Sequence, residues 1–162
     1  MSFKPLNIYI LAALGLGGRF AFMELIPDEE LARKLIVFWH LLWILLAAIS
    51  AMVPNRHEPF AIVVKGGVQN VGKYALVLGI SLFIYYKWID VDYFPRRIAE
   101  LISAANPQGE AELQRAQEGL TQFFTPGMYA TISTMGLLLM GTFYALLGTL
   151  ALKKLPIFSS KN

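Results

Sequence analysis

Glu24 and His40 are the two side chains in this sequence best suited to proton-linked chemistry inside an apolar setting. A carboxylate facing an imidazole within a bilayer can exchange a proton, and ionisable groups there are costly enough to suggest a function. Arg19 is the third ionisable residue in the same apolar context. At about 100° per residue, Arg19 and Glu24 are poorly aligned for an ion pair within one helix. Glu24 falls within about 20–60° of a small-residue seam formed by Ala13, Gly17 and Ala21, so it is expected to face neighbouring helices. Arg19 falls roughly opposite, where it can snorkel toward headgroups or meet an acid elsewhere. His40 shares a face with Trp43, Ala47 and Ala51, an interior position. The plain reading of His40 is a hydrogen bond to an adjacent helix; the functional one is a proton-linked pair with Glu24.

A second constellation is Asp90, Asp92, Arg96 and Arg97. Placed near headgroups, such residues could act on lipid. The simpler account is a capped helix start, with Asp92 as N-cap, Pro95 in the first turn and a solvated charged face. Other chemistries lack their residues. There is no cysteine, so thiolate catalysis and Cys-ligated metal are excluded. His57-Glu58 runs into Pro59-Phe60, with no second histidine at helical spacing. No G-x-S-x-G elbow occurs. The "GLGGR" of Gly15–Arg19 sits inside an apolar run rather than after a strand, so it is not a phosphate loop. Two histidines leave little room for a bis-His haem. No basic–aromatic strand platform points to nucleic acid. No cofactor, no metal and no nucleic acid are expected, and an enzyme is not the leading expectation.

These residues must be positioned by membrane-spanning helices. Hydrophobic residues make up 56% of the chain and charged residues 15%, against roughly 45–50% and 25% in soluble domains. The excess is concentrated in four blocks, about 6–26, 31–53, 68–89 and 127–152, each long enough for about 30 Å of hydrocarbon. The fold class expected is all-α: a single integral membrane domain over 1–162, a four-helix bundle with an amphipathic helical hairpin at about 90–126, between the third and fourth spans. No small-x-small site closes the first block, so a cleaved signal peptide is not expected. Small residues recur in every span, namely Ala13/Gly17/Ala21, Ala47/Ala51, Gly72/Ala75/Gly79 and Ala130/Thr134/Gly141/Ala145/Gly148, and allow close helix approach. "PFAIVV" (Pro59–Val64) is too short to cross and is expected as an interfacial helix, with Gly66-Gly67 bending into the third span.

Orientation follows the bases. Lys4, Arg56, Lys65, Lys73, Lys153, Lys154 and Lys161 flank ends on one side, while bases on the other side mix with acids. Both termini are expected in the cytoplasm. Tyr85, Tyr86, Lys87 and Trp88 are expected as an interfacial belt. In the hairpin, Phe94, Ile98, Leu101, Ile102 and Ala105 share one helix face. Asn106, Pro107 and Gly109 make a turn. Leu113, Ala116, Leu120, Phe123 and Phe124 share the face of the second helix. The segment holds six acids and three bases, so an anionic lipid surface is a weak partner for it, and packing on the bundle's mouth is expected.

Taken together, "PFAIVVKGG" (Pro59–Gly67), "IDVDYFPRRI" (Ile89–Ile98), the hairpin ending near Phe123 or Phe124 and the terminal "LKK" (Leu152–Lys154) resemble an uncharacterised family of small bacterial four-span membrane proteins, a domain-of-unknown-function family. Val91 stands where that family has proline. The resemblance implies the fold, the topology and a bacterial inner membrane; it implies no activity and no site residues.

The leading functional expectation is a non-enzymatic scaffold or accessory subunit that binds a membrane-protein partner, a lipid or a second copy. Asp92, Tyr93, Phe94, Arg96 and Arg97 are its candidate contacts. The alternative is a small dimeric transporter or channel with a path along Glu24 and His40. The third reading is the lipid-acting enzyme.

Overall fold

The computed structural model describes residues 7–154, and all regular structure among them is helical. The order is α1 (Ile8–Leu25), α2 (Glu29–Met52), α3 (Phe60–Ile84), a π-helical turn (Tyr85–Ile89), α4 (Tyr93–Ala105), α5 (Glu110–Phe123) and α6 (Pro126–Lys154). Four segments, 8–25, 29–52, 60–89 and 126–154, are long and apolar enough to cross a membrane. The chain is therefore an all-α protein with four candidate spans and a two-helix segment between the third and fourth. Lys4 and Lys161, counted above for orientation, and Leu6, at the start of the first apolar block, lie outside the described residues.

Local chemistry sets the helix ends. Asn7 caps α1 by accepting from Tyr9 N–H at 2.9 Å. The Asp28 carboxylate accepts from Glu30 and Leu31 N–H at 2.9 and 3.1 Å, and Glu29 and Glu30 complement the dipole of the first turn of α2. Lys153 and Lys154 stand in the last turn of α6, where positive charge is favoured.

The helices partition into two compact units. The first comprises residues up to Leu78 together with those from Thr134 onward. Its core is Leu11, Ala12, Ile36, Ile44, Ala47, Met52, Val63, Val71, Tyr74 and Leu78. Here α6 buries only small residues, Gly141, Ala145 and Thr149, at i, i+4 and i+8. A Cβ on Gly141 would collide with Val71, and one on Gly148 would meet Met52 Cε at 2.5 Å. That is the small-residue packing foreseen for the fourth span.

Two expectations fail in this unit. No bend occurs at Gly66-Gly67, and α3 runs unbroken from Phe60. Gly67 serves approach rather than turning: a Cβ there would come within 2.9 Å of Ala145 Cβ and 3.0 Å of Met52 Sδ. Lys73 is not a flanking base either. It lies inside α3 beside Tyr74, which bonds His40 near the midpoint of α2.

The second unit spans Gly79–Ser133. Its centre is Tyr86, 1% exposed, whose ring lies 4.6 Å from Tyr93, 5.2 Å from Phe94 and 5.3 Å from Tyr129. Tyr86 is thus a core residue rather than part of an interfacial belt. The π-turn explains the difference. Asp90 N–H donates to Tyr85 C=O at 3.0 Å, an i→i+5 bond that resets the facing of successive side chains. Trp88 and Ile89 are left exposed, and the Lys87 ammonium sits 5.2 Å from the centres of the Phe83 and Trp88 rings.

Asp92 is the N-cap residue of α4, but its side chain makes no capping bond. Its φ/ψ of −89°/−4° is already helical, which turns the carboxylate away from the N–H groups a cap serves. Between α4 and α5, Asn106 takes φ 47° and Gly109 φ 102°, the left-handed positions that Asn and Gly tolerate.

Candidate functional site

Five side chains converge inside the first unit: Arg19 from α1, Trp39, His40 and Trp43 from α2, and Tyr74 from α3. Arg19 and His40 are each 6% exposed, and Tyr74 is fully buried. His40 Nδ1 and Tyr74 Oη are 3.1 Å apart; the tautomer sets which atom donates. The Arg19 guanidinium is near enough to act electrostatically on the His40 ring.

Two glycines of α1 make this convergence possible. A Cβ on Gly15 would overlap the Tyr74 hydroxyl, and one on Gly18 would overlap the Trp39 indole. With no Cβ in the way, Trp39 Nε1–H donates to Leu14 C=O at 3.2 Å. Trp39 also meets Phe22 edge-on at 5.7 Å and Trp43 at 5.2 Å. His40 Nε2 and Trp43 Nε1 are buried polar atoms without a hydrogen-bond partner among the described residues.

The arrangement reverses the sequence assignment for α1. Arg19 is buried and Glu24 is exposed, as are Ala13, Gly17 and Ala21. The buried face is Ile8, Leu11, Ala12, Gly15 and Arg19, about 175° from the expected seam at 100° per residue. The physical reason lies in α2 and α3. Trp39 and Tyr74 need glycine opposite them, and Gly15 and Gly18 supply it, whereas Gly17 meets nothing within 4 Å. Glycine spacing on α1 alone offered two stripes, and only the bulk across the interface selects one.

His40 is interior and bonded to a neighbouring helix, as its plain reading expected. Glu24 and His40 share no hydrogen bond among the described residues, and Glu24 is exposed while His40 is buried. The His40–Tyr74 contact can pass a proton over one step, and no further titratable side chain is hydrogen-bonded to it among the described residues. Its effect is to tie α2 to α3.

The hairpin candidates separate. Phe94 is buried and Tyr93 half-buried, both in the Tyr86 ring cluster. Arg96 pairs with Asp90 at 2.9 Å and Arg97 with Glu100 at 2.6 Å. Asp92 is exposed. The two arginines therefore have acidic neighbours within the chain and do not converge on a shared anion position.

Sequence reasoning passed over one further feature. A cleft of about 370 Å³ is lined by Ser50, Ala51, Pro54, Asn55, Gly66, Gln69 and Asn70. The available signal was Gly66, Gln69, Asn70 and Lys73 at i, i+3, i+4 and i+7 on one face of an otherwise apolar helix.

Neither a family model, nor a curated protein, nor a solved structure matches this chain. Function therefore rests on the geometry itself.

Proposed function

We propose that this chain is a non-enzymatic accessory or scaffold subunit of a membrane, which docks a membrane-protein partner through α5. One observation carries the reading: no residue of α5 is buried. Its apolar face nevertheless runs from Leu113, 40% exposed, to Phe123, 64% exposed. Its neighbour α4 differs, being anchored by Phe94 in the ring cluster. The hairpin thus has one fixed helix and one that presents apolar surface. Glu110, Glu112 and Glu118 outweigh Arg115 on α5, which disfavours an anionic lipid surface and favours a protein partner.

The resemblance noted above supports the finer reading of a bacterial inner-membrane protein with both termini in the cytoplasm. The exposure of Glu24 and the burial of His40 support this reading over a transport path along the two.

A photo-reactive side chain placed at Leu113 or Phe123 in native membranes tests the docking reading. The expected result is a protein adduct of one defined mass, shared by both positions and absent for a probe at Glu118 on the opposite face. Lipid adducts alone at both positions would overturn it.

A further inference from the structure

We propose that the cleft between the end of α2 and the polar face of α3 is a binding site for the headgroup of an anionic phospholipid. The site belongs to the first unit and is independent of the docking reading for α5.

Depth argues first. The residues that α2 and its following turn contribute, Ser50 to Asn55, lie where the apolar run ends. Val53 is its last member, and Pro54, Asn55 and Arg56 follow. An opening at that level meets headgroups and the glycerol region rather than acyl chains. Its volume, about 370 Å³, lies in the lower part of the range of roughly 300–1,000 Å³ typical of small-molecule sites.

The lining argues second. Gln69 makes no hydrogen bond among the described residues and keeps both amide donors and its oxygen available. Asn70 Nδ2 donates to Ser50 Oγ at 3.2 Å, Ser50 Oγ–H donates to Ala47 C=O at 2.8 Å, and Asn55 Nδ2 donates to Ala51 C=O at 2.8 Å. The inner wall is thus fixed by its own bonds, while Gln69 and the Asn55 and Asn70 side-chain oxygens are left for a ligand. Polar groups of this kind suit hydroxyls and phosphate oxygens and have no counterpart in acyl chains.

Charge argues third. Lys73 is exposed and makes no ion pair or hydrogen bond among the described residues. Its backbone sits beside the level of the His40–Tyr74 bond, deep for a lysine. Side chains on a helix lean toward its N-terminus, so the Lys73 stem runs over the turn holding Gln69 and Asn70, about 5.4 Å back along the axis. Lys73 does not itself line the cleft but stands one turn along α3 from Gln69 and Asn70, which do. Between Val53 and Lys73 the one acid, Glu58, stands against Arg56, Lys65 and Lys73. The Lys153 ammonium donates to the Arg56 and Glu58 carbonyls at 2.8 and 2.5 Å and so pins the turn that forms one edge.

The ligand class follows. The phosphate diester pairs with Lys73, and a small hydroxylated headgroup such as phosphoglycerol reaches Gln69, Asn55 and Asn70. A choline headgroup brings a bulky cation without donors. An acidic residue on a partner helix would satisfy Lys73 but leave the amide-lined cleft, which lies at the polar edge, unused.

The test uses the full chain purified in a mild detergent, with phosphatidylglycerol and phosphatidylcholine as probes in native mass spectrometry. The expected result is retention of one phosphatidylglycerol, at least tenfold weaker retention of phosphatidylcholine, and at least tenfold loss of phosphatidylglycerol retention in Lys73→Met and in Gly66→Leu. A Gly66 Cβ meets only ordinary contacts at 3.8 Å, so the position admits a side chain, and leucine there extends into the cleft. Lys154→Met should retain lipid as the wild type does. Equal retention of the two lipids, or undiminished retention in Lys73→Met, overturns the proposal. So does a photo-reactive group at Gln69 that yields a protein adduct in native membranes in place of a lipid adduct.

Discussion

Replacing Gly18 by alanine should destabilise the protein markedly, whereas the same change one residue earlier should not. The comparison isolates packing from propensity. Each Gly→Ala change gains up to about 1 kcal/mol of helix preference, so that contribution cancels between Gly17→Ala and Gly18→Ala. At Gly17 a new Cβ meets nothing within 4 Å. At Gly18 it would overlap the Trp39 indole, whose Cζ2 alone stands 2.7 Å away. The indole is a rigid ring fixed at two edges by Phe22 and Trp43, so it must shift as a unit.

That shift has three costs. Overpacking costs about 1–3 kcal/mol. Loss of the Trp39–Leu14 hydrogen bond costs about 0.6 kcal/mol, by analogy with interhelical bonds in membrane proteins. Loss of an edge-on ring contact costs about 0.5–1.5 kcal/mol. The sum is about 2–5 kcal/mol for Gly18→Ala relative to Gly17→Ala, a factor of at least about 30 in the folded-to-unfolded ratio. Reversible unfolding in mixed SDS micelles, followed by far-ultraviolet circular dichroism, measures the difference. Trp39→Ala in the Gly18→Ala background should recover part of the loss, because the obstructing ring is gone. If both glycine variants unfold together, or if Gly17→Ala is the weaker protein, α1 is turned the other way. The burial of Arg19 then falls with it.

Three further outcomes follow from the same contacts. Tyr74→Phe removes the hydroxyl bonded to His40 and should cost about 0.6–1.7 kcal/mol in the same unfolding assay; His40→Ala combined with it should show a non-additive cycle. Tyr86→Ala empties the centre of the ring cluster and should cost about 3–5 kcal/mol, with faster proteolysis of the α4–α5 segment as a second readout. Glu24→Gln, on an exposed position of α1, should change stability by less than about 0.5 kcal/mol, whereas Arg19→Gln should exceed 1 kcal/mol because the buried contacts of the guanidinium are lost.

The number of long helices, and the extent of the first, second and fourth, were legible in the sequence because each depends on local information, a run of apolar residues that begins after Asn7, Asp28 and Pro126; the third starts at Phe60, eight residues before the expected 68. The α4–α5 turn was legible for the same reason, Asn106 and Gly109 being chemically suited to positive φ. What was not legible is rotational. Which stripe of α1 faces inward is decided by Trp39 and Tyr74 on other helices, and nothing within residues 8–25 encodes that choice. The same holds for Gly66-Gly67. A glycine pair signals a bend or a close approach with equal force, and the presence of Ala145 and Met52 across the interface decides for approach. The π-turn at Tyr85–Ile89 carries no composition signal at all, which is why Tyr86 was assigned to an interfacial belt.

The distribution of polar side chains then bears on what the protein does. An interior cation is expensive in a membrane, about 2.5–3.5 kcal/mol at the centre on insertion scales, and this chain buries Arg19 and His40 where α1, α2 and α3 converge. The contacts there hold the three helices in one register. On α3, Gln69, Asn70 and Lys73 share the face opposite Val71 and Ala75, with Asn70 bonded to Ser50 and Gln69 and Lys73 exposed. Lipid tails offer nothing to an amide or an ammonium, so a stripe of this kind is stable only where headgroups, water or another polar surface reaches it. A protein whose buried side chains tie its helices together, and whose outer polar groups await contact, is organised to hold its shape while it binds at its surface.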